Sequence, residues 1–143
     1  MPYRYLDDIA TADVAFEAWG ETREGMFAAA ADATMNVMVG DLDTITPRTK
    51  RTIELQDDDI ELLLFQFLQE FLFYKDAEKL LLRSETIEIA ISEEKFHLRA
   101  EVAGETLDPG KHELGMDVKA VTMHRFSIVP SQDRWLASVI LDI

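Results

Sequence analysis

Cysteine is absent from this chain, which removes disulfide frameworks, thiolate zinc sites and cysteine nucleophiles together. Basic residues are scarce: 14 Lys and Arg stand against 28 Asp and Glu, for a formal net charge of −14. Affinity for a phosphate backbone comes mainly from Lys and Arg, so direct nucleic-acid binding is not expected. An anionic membrane surface is disfavoured on the same ground. A basic protein partner, a metal cation or plain colloidal repulsion stay open. No stretch approaches the ~20 apolar residues that span a bilayer, and Met1–Pro2–Tyr3–Arg4 opens without the apolar run of a secretory signal. The expectation is a cytoplasmic protein that works away from membranes.

What is present suits one globular domain over residues 1–143, with 48% hydrophobic and 29% charged residues. No repeat, low-complexity tract or Pro/Gly/Ser linker divides it. A chain near this length hides roughly 68–70% of its unfolded surface, enough for a sizeable core.

Periodicity sets the elements. Val14–Trp19 alternates like a strand and is closed by Gly20. Thr22 can cap a helix in which Met26, Phe27, Ala30, Ala33, Thr34, Val37 and Met38 recur at helical spacing, with Gly40 as its stop. Arg48–Gln56 reads as an edge or half-exposed strand. Asp58 and Glu61 form a capping box before a second helix, whose stripe of Ile60, Leu64, Phe67, Leu68, Phe71 and Leu72 is broadened by Leu63, Phe65 and Phe73. A helix this apolar requires cover on more than one side. Two alternating stretches, Ile87, Ile89 and Ile91 and then Phe96, Leu98, Ala100 and Val102, stand either side of Ser92–Glu93–Glu94 and predict a hairpin. Glu105–Gly115 is expected to be a loop, and Val118–Val129 with Trp135–Ile143 to make a last strand pair. The fold class is α+β: a mostly antiparallel sheet with two helices packed on one face.

Few residues offer chemistry. The spacings of His97, His112 and His124 match no zinc signature. His97 falls on the polar side of its strand, and His124, in phase with Phe126 and Ile128, reads as a hydrogen-bonded core-edge histidine. Neither glycine-rich nucleotide-binding signature is present. The Asp57–Asp58–Asp59 run is accounted for by helix capping. Asp7, Asp8 and Asp13 flank a turn at Ile9–Ala12 and supply oxygen ligands without soft ones, a set suited to Ca²⁺ or Mg²⁺. At the other end, Asp142 lies beside the α-carboxylate of Ile143, so two anionic groups fall within one residue.

Three blocks give the chain a family resemblance. They are Thr11–Ala12–Asp13–Val14; Gly104–Glu105–Thr106–Leu107–Asp108–Pro109 with His112, leading into Val118–Lys119–Ala120–Val121–Thr122–Met123–His124; and the terminal Val139–Ile140–Leu141–Asp142–Ile143. In order and spacing the sequence resembles the archease family over essentially its whole length. One position departs: Ala10 stands where the family motif has a histidine before Thr-Ala-Asp.

The resemblance implies an accessory protein, not itself an enzyme, of the GTP-dependent RNA-splicing ligase that joins tRNA halves. It would promote guanylylation of the ligase and its repeated turnover. It also implies a divalent-cation site, calcium with magnesium or manganese as alternatives, held by Asp13, Asp142 and Ile143. Asp13 and Asp142 could meet if the strand at Val14–Trp19 and the last strand are neighbours. Partner contacts would come from Asp108, His112, Lys119 and His124. Two other readings compete: a general protein-binding modulator or chaperone of RNA-processing proteins, and a metal-dependent hydrolase using Asp13 and Asp142. The last lacks a nucleophile or general base beside a substrate-shaped motif.

Overall fold

The structure, a computed structural model, describes residues 2–6 and 13–143. Asp7, Asp8, the turn at Ile9–Ala12 and the departing position Ala10 lie outside the described residues. The elements run β1 (Tyr3–Leu6), β2 (Asp13–Gly20), α1 (Arg23–Met38), β3 (Thr49–Asp57), α2 (Ile60–Glu78), β4 (Leu80–Ser92), β5 (Lys95–Thr106), β6 (Ala120–Ser131) and β7 (Arg134–Asp142). The α+β class and antiparallel pairing hold. The strands form two sheets, however, ordered β1-β2-β7-β6 and β3-β5-β4. α1 packs on β2 and β7 of the first sheet and on β4 of the second, while α2 packs on β3 and β4 and reaches β6.

Local chemistry sets the helix boundaries. Thr22 Oγ1 accepts from the Gly25 amide at 3.0 Å and opens α1. Gly20 is needed here because a Cβ would run into the backbone of Gly25 and Met26. α1 stops at Met38 with Val39 extended, so Gly40 is not its cap; the Gly40 amide instead donates to Glu113 O at 2.8 Å. At α2 the cap is Asp59, one residue later than Asp58, with its carboxylate accepting from the Glu61 amide at 2.9 Å. Asp57 accepts from the Asp59 amide at 2.9 Å, and chiefly that bond lowers its pKa. The expected box does not close, because Glu61 Oε2 is engaged at 3.0 Å by the Ile128 amide of β6. Glu24, in the first turn of α1, takes the Ile89 amide of β4 in the same way at 3.4 Å. Both helices thus cap an amide of an outer strand, the groups that otherwise invite edge-to-edge pairing.

The core sits between the sheets around the helices. Phe27 of α1 meets Phe67 of α2 at 5.7 Å, and Phe67 meets Phe71 at 5.1 Å. Ala29, Ala30, Ala31 and Ala33 are all buried, so α1 is covered over most of its surface, with a half-buried line at Ala28, Asp32 and Asn36, and its small residues allow close approach. Phe73, placed in the α2 stripe by spacing, is instead 57% exposed. Two further expectations are corrected at the strands. Glu105 belongs to β5 and not to the loop after it. His124 is exposed, because β6 loses register with β7 between Thr122 and Ser127. That irregularity shifts the alternation, so Phe126 and Ile128 stay buried while His124 swings out.

Candidate functional site

β2 and β7 are hydrogen-bonded neighbours, and their register puts Asp13 directly opposite Asp142. Cross-strand partners lie on one face, with Cβ atoms about 4.5–5.5 Å apart. The same residue of β7 pairs on its other side with Ala120 of β6, and the Lys119 amide donates to Asp142 O at 2.8 Å. Asp13, Asp142 and Ile143 are each half-buried, and Lys119 is exposed. Like charges directly opposite each other in a sheet are destabilising. Among the described residues no Lys, Arg or His forms an ion pair with either aspartate, whereas other acids such as Glu17, Asp32, Glu54 and Glu78 each hold an arginine. The donor set is hard oxygen throughout, which fits a divalent cation of the calcium or magnesium kind. Among the described residues no three His, Cys, Asp or Glu side chains gather into a cluster, and Asp13 and Asp142 are the two side chains that the described residues bring together at this position.

The remaining candidates lie elsewhere. Asp108 and His112 belong to the loop between β5 and β6 and serve its internal order. Asp108 Oδ1 accepts from the Gly110 amide at 2.9 Å, and its main-chain amide donates to His112 Nδ1 at 2.9 Å. With Nδ1 accepting, the imidazole proton sits on Nε2 and points at Glu105 Oε2, 3.0 Å away. His112 is only 2% exposed, which leaves no surface for a partner to touch. His124 stands on the irregular stretch of β6.

Two residues that spacing did not single out hold this region together. Glu105 Oε2 collects Lys111 Nζ at 2.6 Å, the Thr46 amide at 2.8 Å and His112 Nε2. Lys111 foremost, then the Thr46 amide and His112, pull the Glu105 pKa down to about 2. Lys75, in the last turn of α2, is buried and bonds Asp117 at 2.5 Å and Val118 O at 3.1 Å, just before β6 begins. Burial works to lower its pKa, but the bonds to Asp117 and Asp76 leave it raised. A signal for Lys75 was available, since it continues the helical spacing of Phe71 and Leu72. For Glu105 there was none, because Thr46 is 59 residues away.

Because the folded pKa of Glu105 lies below its ordinary value of 4.5, its contribution is present above that pH and fades as pH falls toward 2. Glu105→Gln is therefore expected to be less stable than the native chain at pH 7, with the gap closing between pH 4.5 and 2. Urea midpoints across that range check it. A gap independent of pH would mean that the charge is not what matters.

The Asp13–Asp142 pair and the loop block are also where the three blocks of sequence resemblance fall. The Archease protein family profile matches residues 3–143. The chain belongs to the archease family. It is 37% identical over 134 residues to protein archease of Pyrococcus abyssi, covering 93% of this chain and 94% of that one. Protein archease of Methanopyrus kandleri is 31% identical over 143 residues, the full length of both. Among solved structures, the solution structure of Methanobacterium thermoautotrophicum protein 1598 superposes with a TM-score of 0.86 at 32% identity, covering 99% of each chain. A crystal structure from Thermotoga maritima, named "an archease, possible chaperone", shares the fold at a TM-score of 0.64 and 18% identity, covering 96% of this chain and 97% of that one. No helix is long and apolar enough to cross a membrane among the described residues.

Proposed function

We propose that this archease-family chain is an accessory protein of a GTP-dependent RNA-splicing ligase, working in the cytoplasm. In this reading it promotes guanylylation of the ligase and its multiple turnover in tRNA splicing, and has no catalytic centre of its own. The observation that supports it is the register of β2 against β7, which sets Asp13 opposite Asp142 with no cationic partner among the described residues. These two carboxylates and the α-carboxylate of Ile143 would hold a divalent cation, calcium first, with magnesium or manganese as alternatives. Bound there, the cation would cancel the repulsion among the three anions.

The chain's own residues supply the rest. The Lys119 amide, bonded to Asp142 O, ties the start of β6 to the proposed site. The exposed Lys119 side chain is free to meet an acidic group of a partner. The loop braced by Glu105, His112 and Lys75 leads into Lys119 and fixes its position. With a net charge of −14, a basic protein surface is a favourable partner and an RNA backbone is not.

Single-turnover guanylylation of the ligase tests the proposal. The chain alone is expected to be inert toward RNA and GTP, and to accelerate guanylylation when added to the ligase. Asp13→Ala should abolish the acceleration while circular dichroism stays native. Full activation by Asp13→Ala would remove the site from the mechanism. General suppression of aggregation among unrelated proteins, without effect on the ligase, would favour the chaperone reading suggested by the Thermotoga protein's name. Hydrolysis of a substrate by the chain alone would favour the enzyme reading.

A further inference from the structure

Six non-glycine residues among those described have positive φ, and five have an ordinary reason. Lys79 is the left-handed cap of α2. Glu93 with Glu94, and Gln132 with Asp133, are two-residue hairpin turns, where both central positions need positive φ. The sixth, Arg125 at φ 54°, lies inside β6, at the irregularity between Thr122 and Ser127. A bulge of this kind favours glycine, and an arginine held there is strained. Strain of this sort persists where surrounding structure imposes it and gathers at functional positions.

Arg125 lines a groove of about 240 Å³ on the outer face of the first sheet. Ala15 and Ile140, register partners on β2 and β7, form its floor. Leu6 and Arg125 border it, and Ser127 and Ser138, register partners on β6 and β7, open into it. Both serines are half-buried. Among the described residues, neither hydroxyl has a protein hydrogen-bond partner and Arg125 has no ion pair, in contrast to Arg4, Arg51, Arg83 and Arg99. A guanidinium fork and two hydroxyls, from two strands, therefore border one side of a small space with an apolar floor, and the carboxylate opposite Ser138, Glu17, is held by Arg4 at 2.6 Å. Donors set beside a space in this way suit a tetrahedral oxyanion, whose oxygens accept several donors at once.

We infer that this groove binds a phosphate group, with Arg125 as its charged contact and Ser127 and Ser138 as its hydroxyl donors. The Asp13–Asp142 pair lies on the same face, one alternation beyond the Ala15–Ile140 floor and two alternations, about 13 Å, from Ser138. A cation there would relieve the repulsion that the two aspartates exert on an anion. The phosphate groove is a separate claim from the ligase reading, and its test involves neither ligase nor RNA.

The test is a titration of the isotope-labelled chain with inorganic phosphate at constant ionic strength, followed by amide chemical shifts. It is run with EDTA and again with magnesium. Saturable shifts at Ser127, Ser138 and Arg125 are expected, strengthened by magnesium. Arg125→Gly removes the guanidinium while giving the bulge the residue its backbone favours. It should weaken phosphate binding at least tenfold while its thermal midpoint equals or exceeds that of the native chain. A lowered midpoint with unchanged phosphate binding would make Arg125 a structural residue and overturn the inference. So would binding that appears only with magnesium, disappears in Asp13→Asn and survives in Arg125→Gly, since the phosphate would then be held by the cation. Repeating the titration with a nucleoside monophosphate asks whether the groove takes phosphate attached to a larger ligand; binding that again depends on Arg125 is expected.

Discussion

Replacing Gly104 with alanine should destabilise this protein severely. Gly104 is in the middle strand of the second sheet, paired with Leu82 on one side and Thr49 on the other. A Cβ built there overlaps the carbonyl oxygen of Leu81 and crowds Leu82 Cα at 3.0 Å. Both obstacles are backbone, so no rotamer change relieves them, and β4 must move away from β5. Leu81 and Leu82 are fully buried, and shifting them opens the core against both helices. The Gly104 carbonyl also accepts from the Arg48 amide at 2.9 Å, and the next residue is Glu105, which braces the loop leading to Lys119. We expect a loss of at least about 4 kcal/mol, in the range reserved for severe defects. For a domain of this size that is roughly 10–15 °C in the melting midpoint. Gly110→Ala is the control: the only heavy atom a Cβ would meet is Asp108 Oδ1 at 3.4 Å, an ordinary contact. It should change stability by less than about 1 kcal/mol. Thermal unfolding of both variants decides the matter, and similar midpoints would show that the close approach of β4 and β5 is not rigid.

Much of this architecture was legible in the sequence because it is written in local patterns. The Met26–Met38 spacing, the Ile87/Ile89/Ile91 alternation and the turn at Glu93–Glu94 each depend on residues within a few positions of one another. The partition of the described strands into two sheets is not local, since it depends on β7 pairing with β2 across more than 100 residues of chain. His124 was misread because the alternation rule assumes an unbroken ladder, and β6 breaks at that point. At the candidate site, Asp13 and Asp142 were legible as an excess of hard oxygen ligands, and the structure adds that they face each other. The Glu105–Lys111–His112–Thr46 bonds and the Lys75–Asp117 pair were not legible, because a buried ion pair leaves no periodicity behind. Arg125 left no trace either: nothing in Met123–His124–Arg125–Phe126 announces a positive φ.

A short Gly/Ser tail appended to Ile143 keeps every side chain and converts the terminal carboxylate to a neutral amide. If that carboxylate joins Asp13 and Asp142 around a cation, the site loses one full negative charge. Calcium affinity should then fall more than tenfold, or about 1.4 kcal/mol and upward. Asp13→Asn should do at least as much, since it removes a charge and leaves the shape. In the metal-free state the same change removes the like-charge pair opposite Asp142, so its stability should be equal to or slightly above that of the native chain, by up to about 1 kcal/mol. A merely packed Ile143 would behave differently: the tail would be harmless to calcium binding. Isothermal calorimetry of calcium into the native and tailed chains is the most direct test of the proposed site. The account predicts one saturable event in the native chain that weakens more than tenfold with the tail, whereas equal affinities, or no binding to the native chain at all, would contradict it.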